Sequence, residues 1–105
     1  MEFDWDDANV AHLERHGIDP EEAEDAVLDE FALDFPAHRG PHGQRRFGVL
    51  GKALSGRILV LILEERGEKF RVVTARVAEV KERSSYDQEN QKVRRESEAD
   101  TPGDE

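Results

Sequence analysis

Six arginines, Arg45, Arg46, Arg57, Arg66, Arg71 and Arg76, fall on or beside stretches that alternate like neighbouring strands. Across an antiparallel ladder such residues come within reach of one another even when they are far apart in sequence. Guanidinium forks bind phosphate bidentately and stabilise charge developing on it. A second group is imidazole: Asn9, His12 and His16 share one helical stripe beside Val10 and Leu13. Rings there can pack at the border of a core, move protons or hold phosphate. Two imidazoles four apart could begin a metal site, but zinc needs a third protein ligand, no Glu directly follows His12 as it does in a metalloprotease helix, and His38 and His42 lie in a loop, so no metal or other cofactor is expected. The third group is Glu79, Glu82, Arg83 and Tyr86 on a closing helix. Tyr86 there is a base-stacking or proton-donating side chain, or a packing residue. Ser84 and Ser85 have no nucleophile motif, and no glycine-rich loop precedes a helix.

The charge is split along the chain. Residues 1–34 hold 13 acids and one base, Arg15, whereas residues 35–86 hold 11 bases and five acids, within a net charge of −10. An anionic ligand senses the local field rather than the sum, so the basic half is the half expected to meet one. At 105 residues the chain makes one domain with one core. No cysteine is present, which excludes disulfides and thiol chemistry. With no basic start, no apolar leader and a longest apolar run of only Ile58 to Leu63, neither signal peptide nor membrane anchor is expected, and the protein should be soluble and cytoplasmic.

The elements that must position these side chains follow from caps and periods. Glu2 to Trp5 alternates as a short strand, and Asp6 offers a cap to a helix over residues 7–16 closed by Gly17. Asp19-Pro20-Glu21-Glu22 starts a second helix that runs to Leu28. Phe31, Leu33 and Phe35 predict a strand, residues 37–43 a loop, and residues 44–50, 57–63 and 69–76 a meander whose middle strand is central. Strand alternation sets Arg71 and Arg76 on opposite faces. A helix over residues 78–88 follows, and residues 89–105, nearly without apolar side chains, are expected to be disordered. The expected architecture is α+β: an antiparallel sheet of four to five strands with the helices on one face, the other face being left for a ligand or partner.

The block Phe3-Asp4-Trp5-Asp6-Asp7-Ala8-Asn9, then His12, Arg15-His16-Gly17-Ile18 and Pro20 to Glu24, resembles the opening of BrnT-family toxins. Arg66-Gly67, Arg71 to Arg76, Glu82-Arg83 and Tyr86 resemble that family's close, so the resemblance covers residues 2–86, one domain taken as 1–88. It implies a compact RelE-like fold and a ribonuclease toxin of a type II toxin–antitoxin pair, restrained by a ribbon-helix-helix antitoxin through which alone it would meet DNA. It also implies metal-independent attack of the ribose 2′-hydroxyl on the adjacent phosphate, which needs charge stabilisation and a proton shuttle. On that basis Arg46, Arg66 and Arg76 would neutralise the phosphate, His16 or Tyr86 would move the proton, and Arg45, Arg57, Arg71 and Arg83 would contact RNA. The alternatives are a catalytically inactive scaffold that binds an antitoxin-type protein and a small metal-dependent hydrolase using His12 and His16.

Overall fold

The computed structural model describes residues 1–99. In chain order it contains β1 (Glu2–Phe3), α1 (Asp7–Arg15), α2 (Pro20–Val27), β2 (Leu33–Pro36), β3 (Arg46–Lys52), β4 (Ile58–Arg66), β5 (Lys69–Val77) and α3 (Val80–Ala99). The five strands form one sheet in the order β1-β5-β4-β3-β2. The meander pairs antiparallel, as its short hairpin connections require. β1 differs from expectation: it lies parallel to β5, Phe3 opposite Phe70, because α1, α2 and β2–β4 separate the two in sequence and the chain enters the sheet at the far edge.

α1 starts where Asp6 caps it. The Asp6 carboxylate accepts from the Ala8 and Asn9 backbone N–H groups, and the Asn9 side-chain oxygen accepts from the Asp6 N–H in return. α2 starts at Pro20 with the Asp19 carboxylate accepting from the Glu22 N–H. Both helices pack on one face of the sheet around Leu13, Ile18, Ala23, Ala26, Val49, Leu59, Leu61, Leu63 and Val72. Burial of each large aliphatic side chain there is worth about 1.5–3 kcal/mol. Gly51 on β3 lies under the Ala26 carbonyl of α2, where a Cβ would collide with helix backbone. Trp5 donates its indole N–H to Glu24 at 2.7 Å, fastening the start of α1 to α2.

The opposite face is not open. Leu50, Ile58 and Val60 point into a second cluster with Ala78 and Tyr86, so α3 covers part of the face opposite the two N-terminal helices. Helices therefore stand on both faces rather than one. α3 also runs past Gln88 to Ala99, across residues 89–99 that were expected to be disordered. The Lys, Glu, Gln and Arg residues of this stretch have high intrinsic helix propensity. The rest of the expected tail, residues 100–105, lies outside the described residues.

A second departure moves side chains. Leu63 pairs with Val72 but Ile62 pairs with Thr74, so Val73 is an extra residue in a β-bulge. Directly opposed residues share a face, and Arg71 opposes Glu64 while Arg76 opposes Val60. Arg71 and Arg76 thus share the α3 face of the sheet, against the alternation read from sequence.

Candidate functional site

Glu64 organises the first part of the site. On β4 it has the same parity as Ile58, Val60 and Ile62, so it points to the α3 face, beyond the stretch that α3 covers. Arg46 opposes it on β3 and Arg71 on β5, one strand spacing to either side. Its side chain is 0% exposed. One carboxylate oxygen accepts from the Arg46 Nε–H at 3.0 Å and the other from the Arg66 Nε–H. Burial alone would raise the Glu64 pKa; the hydrogen bonds from Arg66 and Arg46 outweigh it, and the carboxyl stays below its ordinary value. The result is an ionised, buried anchor holding two guanidinium groups side by side.

Arg71 continues this group toward α1. Both of its terminal nitrogens donate to Asp6 at 2.9 Å, and Asp4 lies 3.8 Å away. Arg71, followed by the Asn9 backbone N–H, holds the Asp6 carboxyl down at about 2. Arg71 also borders an open groove of about 530 Å³, shared with His12 and Thr74. The His12 Nε2 and the Thr74 hydroxyl are 3.0 Å apart. His16 lies outside it, its ring tilted 58° to that of His12 at a centroid distance of 5.1 Å, and no third histidine or carboxylate joins them in a metal-holding group among the described residues.

The remaining candidates lie elsewhere. Arg76 donates to both oxygens of Glu82 in the first turn of α3, at 2.8 and 2.7 Å. It opposes Val60, four residues along β4 from Glu64, or about 13 Å at the rise of a strand. Tyr86 is buried beneath α3 and donates its hydroxyl to Asp29. Burial, then that carboxylate, push its pKa well above the ordinary value. A phenol so held keeps its proton, and it packs α3 onto the sheet. Arg57 bridges Glu22 and the Gly17 carbonyl, fastening the β3–β4 hairpin to α2. Arg45 pairs with Glu65 at 3.5 Å, and Arg83 donates to the Ala78 carbonyl at 3.4 Å.

Of the nine residues read from sequence, the structure gathers Arg46, Arg66 and Arg71. It does not bring Arg76, His16, Tyr86, Arg45, Arg57 or Arg83 to them. Two neighbours of this group were missed: Glu64 was signalled by its place at the inward parity of an otherwise apolar strand, and Asp6 by being both helix cap and neighbour of β1. His12, named with His16 as a ring that could move protons, lies nearer the core edge than His16. In charge, three guanidinium groups face the Glu64, Asp6 and Asp4 carboxylates, an even balance beside an imidazole.

No curated protein matches the chain. A family model described as ribonuclease toxin, BrnT, of type II toxin-antitoxin system matches residues 5–82, the segment that runs from Trp5 through all of β2–β5 into the first turn of α3. An antitoxin partner and an RNA target come with that class of toxin. The chain belongs to the BrnT family of type II toxin–antitoxin ribonuclease toxins.

Proposed function

We propose that the protein cleaves RNA without a metal. The 2′-hydroxyl oxygen attacks the adjacent phosphorus, the bond to the 5′-oxygen of the next nucleotide breaks, and the products are a 2′,3′-cyclic phosphate and a 5′-hydroxyl. Arg46 and Arg66 hold the non-bridging oxygens, Arg71 binds the strand at the groove, and His12 accepts the 2′-hydroxyl proton and passes it, directly or through water, to the departing 5′-oxygen. His12 takes the place given to His16 and Tyr86, since it alone borders the groove that Arg71 lines. Arg76 acts as a strut for α3. The partner is a ribbon-helix-helix antitoxin, which supplies any contact with DNA, and the site of action is the cytoplasm.

The observation that carries this role is the convergence of Arg46, Arg66 and Arg71 about Glu64, next to an imidazole, in a chain of ribonuclease-toxin family. The test is cleavage of RNA by the purified chain with end-group analysis, with and without chelator. Cyclic phosphate ends that persist in chelator, and are lost in Arg66→Ala and His12→Ala, are expected. Linear phosphate ends or dependence on added metal would exclude the mechanism.

One observation favours a second role. Arg45, Arg46, Arg57, Arg66, Arg71 and Arg76 each pair with a carboxylate of the chain itself, so a phosphate must compete for every one. An inactive scaffold that binds an antitoxin would form a tight complex and release no RNA fragments in the same assay.

A further inference from the structure

The end of the sheet remote from Glu64 carries a cavity of about 540 Å³, inside the range of ligand pockets generally. Lys52 at its wall is six residues along β3 from Arg46, or about 20 Å. Its walls join the α2–β2 junction, the β3–β4 hairpin and α3. Tyr86, Asp87, Asn90 and Gln91 contribute from α3, beyond the residue 82 at which the family match stops.

Two properties of this cavity stand together. It exposes large apolar side chains: Leu54 is 89% exposed at the hairpin tip, and Phe31 is 43% exposed. The rim is acidic, with Asp29 and Asp87 in the wall and Glu30 exposed next to them, in the third of the chain that holds 13 acids and one base. Asp29 is already engaged by Tyr86, the Lys52 N–H and the Phe31 N–H, whereas no hydrogen bond or ion pair ties Asp87 or Glu30 among the described residues. Lys52, the one cation in the wall among the described residues, lies over the Tyr86 ring at 5.5 Å from its centroid. Among the described residues the wall holds two carboxylates and one ammonium, which makes RNA a poor occupant. The end of the chain itself, residues 96–105 with five acids and no base, is equally unsuited.

We propose that this cavity docks a basic amphipathic segment of a partner protein. An aliphatic or aromatic side chain of that segment enters between Phe31 and Leu54, and lysines or arginines flanking it pair with Asp87 and Glu30. An apolar anchor within a rim of complementary charge is the usual arrangement of a hot spot. The site depends neither on the arginines about Glu64 nor on RNA cleavage, and both could be occupied at once.

The test uses the full chain and three short fluorescent helical peptides: Leu/Lys, Leu/Glu, and a Lys peptide with Ser in place of Leu. The Leu/Lys peptide is expected to bind, to shift the amide resonances of Leu54 and Tyr86, and to bind about tenfold more weakly to Leu54→Ser and to Asp87→Lys, both checked for unchanged melting. Failure of the Leu/Lys peptide to bind would overturn the assignment. So would equal binding of the Leu/Glu or Ser/Lys peptide, indifference to Leu54→Ser, or shifts at Leu54 and Tyr86 produced by single-stranded RNA or by self-association of the chain.

Discussion

The Asn9 side-chain nitrogen donates to the Val72 carbonyl at 3.2 Å, joining α1 to the edge of β5 immediately beyond the point where β1 stops pairing. The same nitrogen donates to the Asp4 carbonyl at 3.0 Å, and the side-chain oxygen closes the capping box with Asp6. A buried polar residue thus satisfies backbone groups that a two-residue strand leaves open. Asn9→Ala is expected to cost about 2–4 kcal/mol, from the lost cap and the stranded carbonyls. Urea denaturation followed by circular dichroism measures it, and a cost near zero would mean that water replaces the amide.

Glu64→Gln keeps the shape of the buried anchor and removes its charge. Two guanidinium groups then face each other without a counter-ion, and stability should fall by about 1–3 kcal/mol, less than for a fully buried pair since Arg66 is half exposed. RNA affinity should rise, with the salt dependence of binding to single strands steeper by about 0.7 in log–log slope. An unchanged slope would show that Glu64 does not compete with phosphate.

Tyr86→Phe separates packing from chemistry. Losing the bond to Asp29 should destabilise the chain by about 1–2 kcal/mol and leave any RNA cleavage as it was. A loss of cleavage in a variant that melts normally would return Tyr86 to the catalytic group.

The pH profile of stability has two limbs with opposite signs. Asp6 and Glu82 are held at about 2, the first by Arg71 and the second by Arg76, below their ordinary values of 3.8 and 4.5. Their contribution is present above the unfolded values and is lost as pH falls from about 4.5 toward 2. Tyr86 has a raised pKa, so its contribution holds below about pH 10 and is lost as pH rises beyond that. Thermal melts across pH are expected to show both limbs, the acid one weakened in Asp6→Asn and the alkaline one in Tyr86→Phe.

Much of the scaffold was legible in residue types. Asp6, Asp19 and Pro20 marked their helix starts correctly because capping is local chemistry, and Ile58 to Leu63 announced the central strand because that strand is covered on both faces along an unbroken apolar run. Val73 could not be recognised as a bulge: a β-branched residue among others of its kind carries no local sign of being unpaired, yet it shifts every side chain after it to the other face. The coverage of the second face was hidden for a related reason. Tyr86 is the single large apolar anchor of α3 on that face among the described residues, too little to register as a periodic pattern. At the site, arginine counting could not tell the residues gathered about Glu64 from struts elsewhere, since Arg76 and Arg57 differ from Arg46 only in which carboxylate the fold brings beside them.

The bond between Tyr86 and Asp29 has a consequence for what counts as a folding unit. Asp29 belongs to the segment that carries the family signature, and Tyr86 lies past its end. A chain cut after Glu82 would keep every strand and still lose the aromatic lid over Leu50, Ile58 and Val60. It would retain the signature with a strip of aliphatic surface laid bare, a species prone to self-adhesion rather than a smaller working toxin.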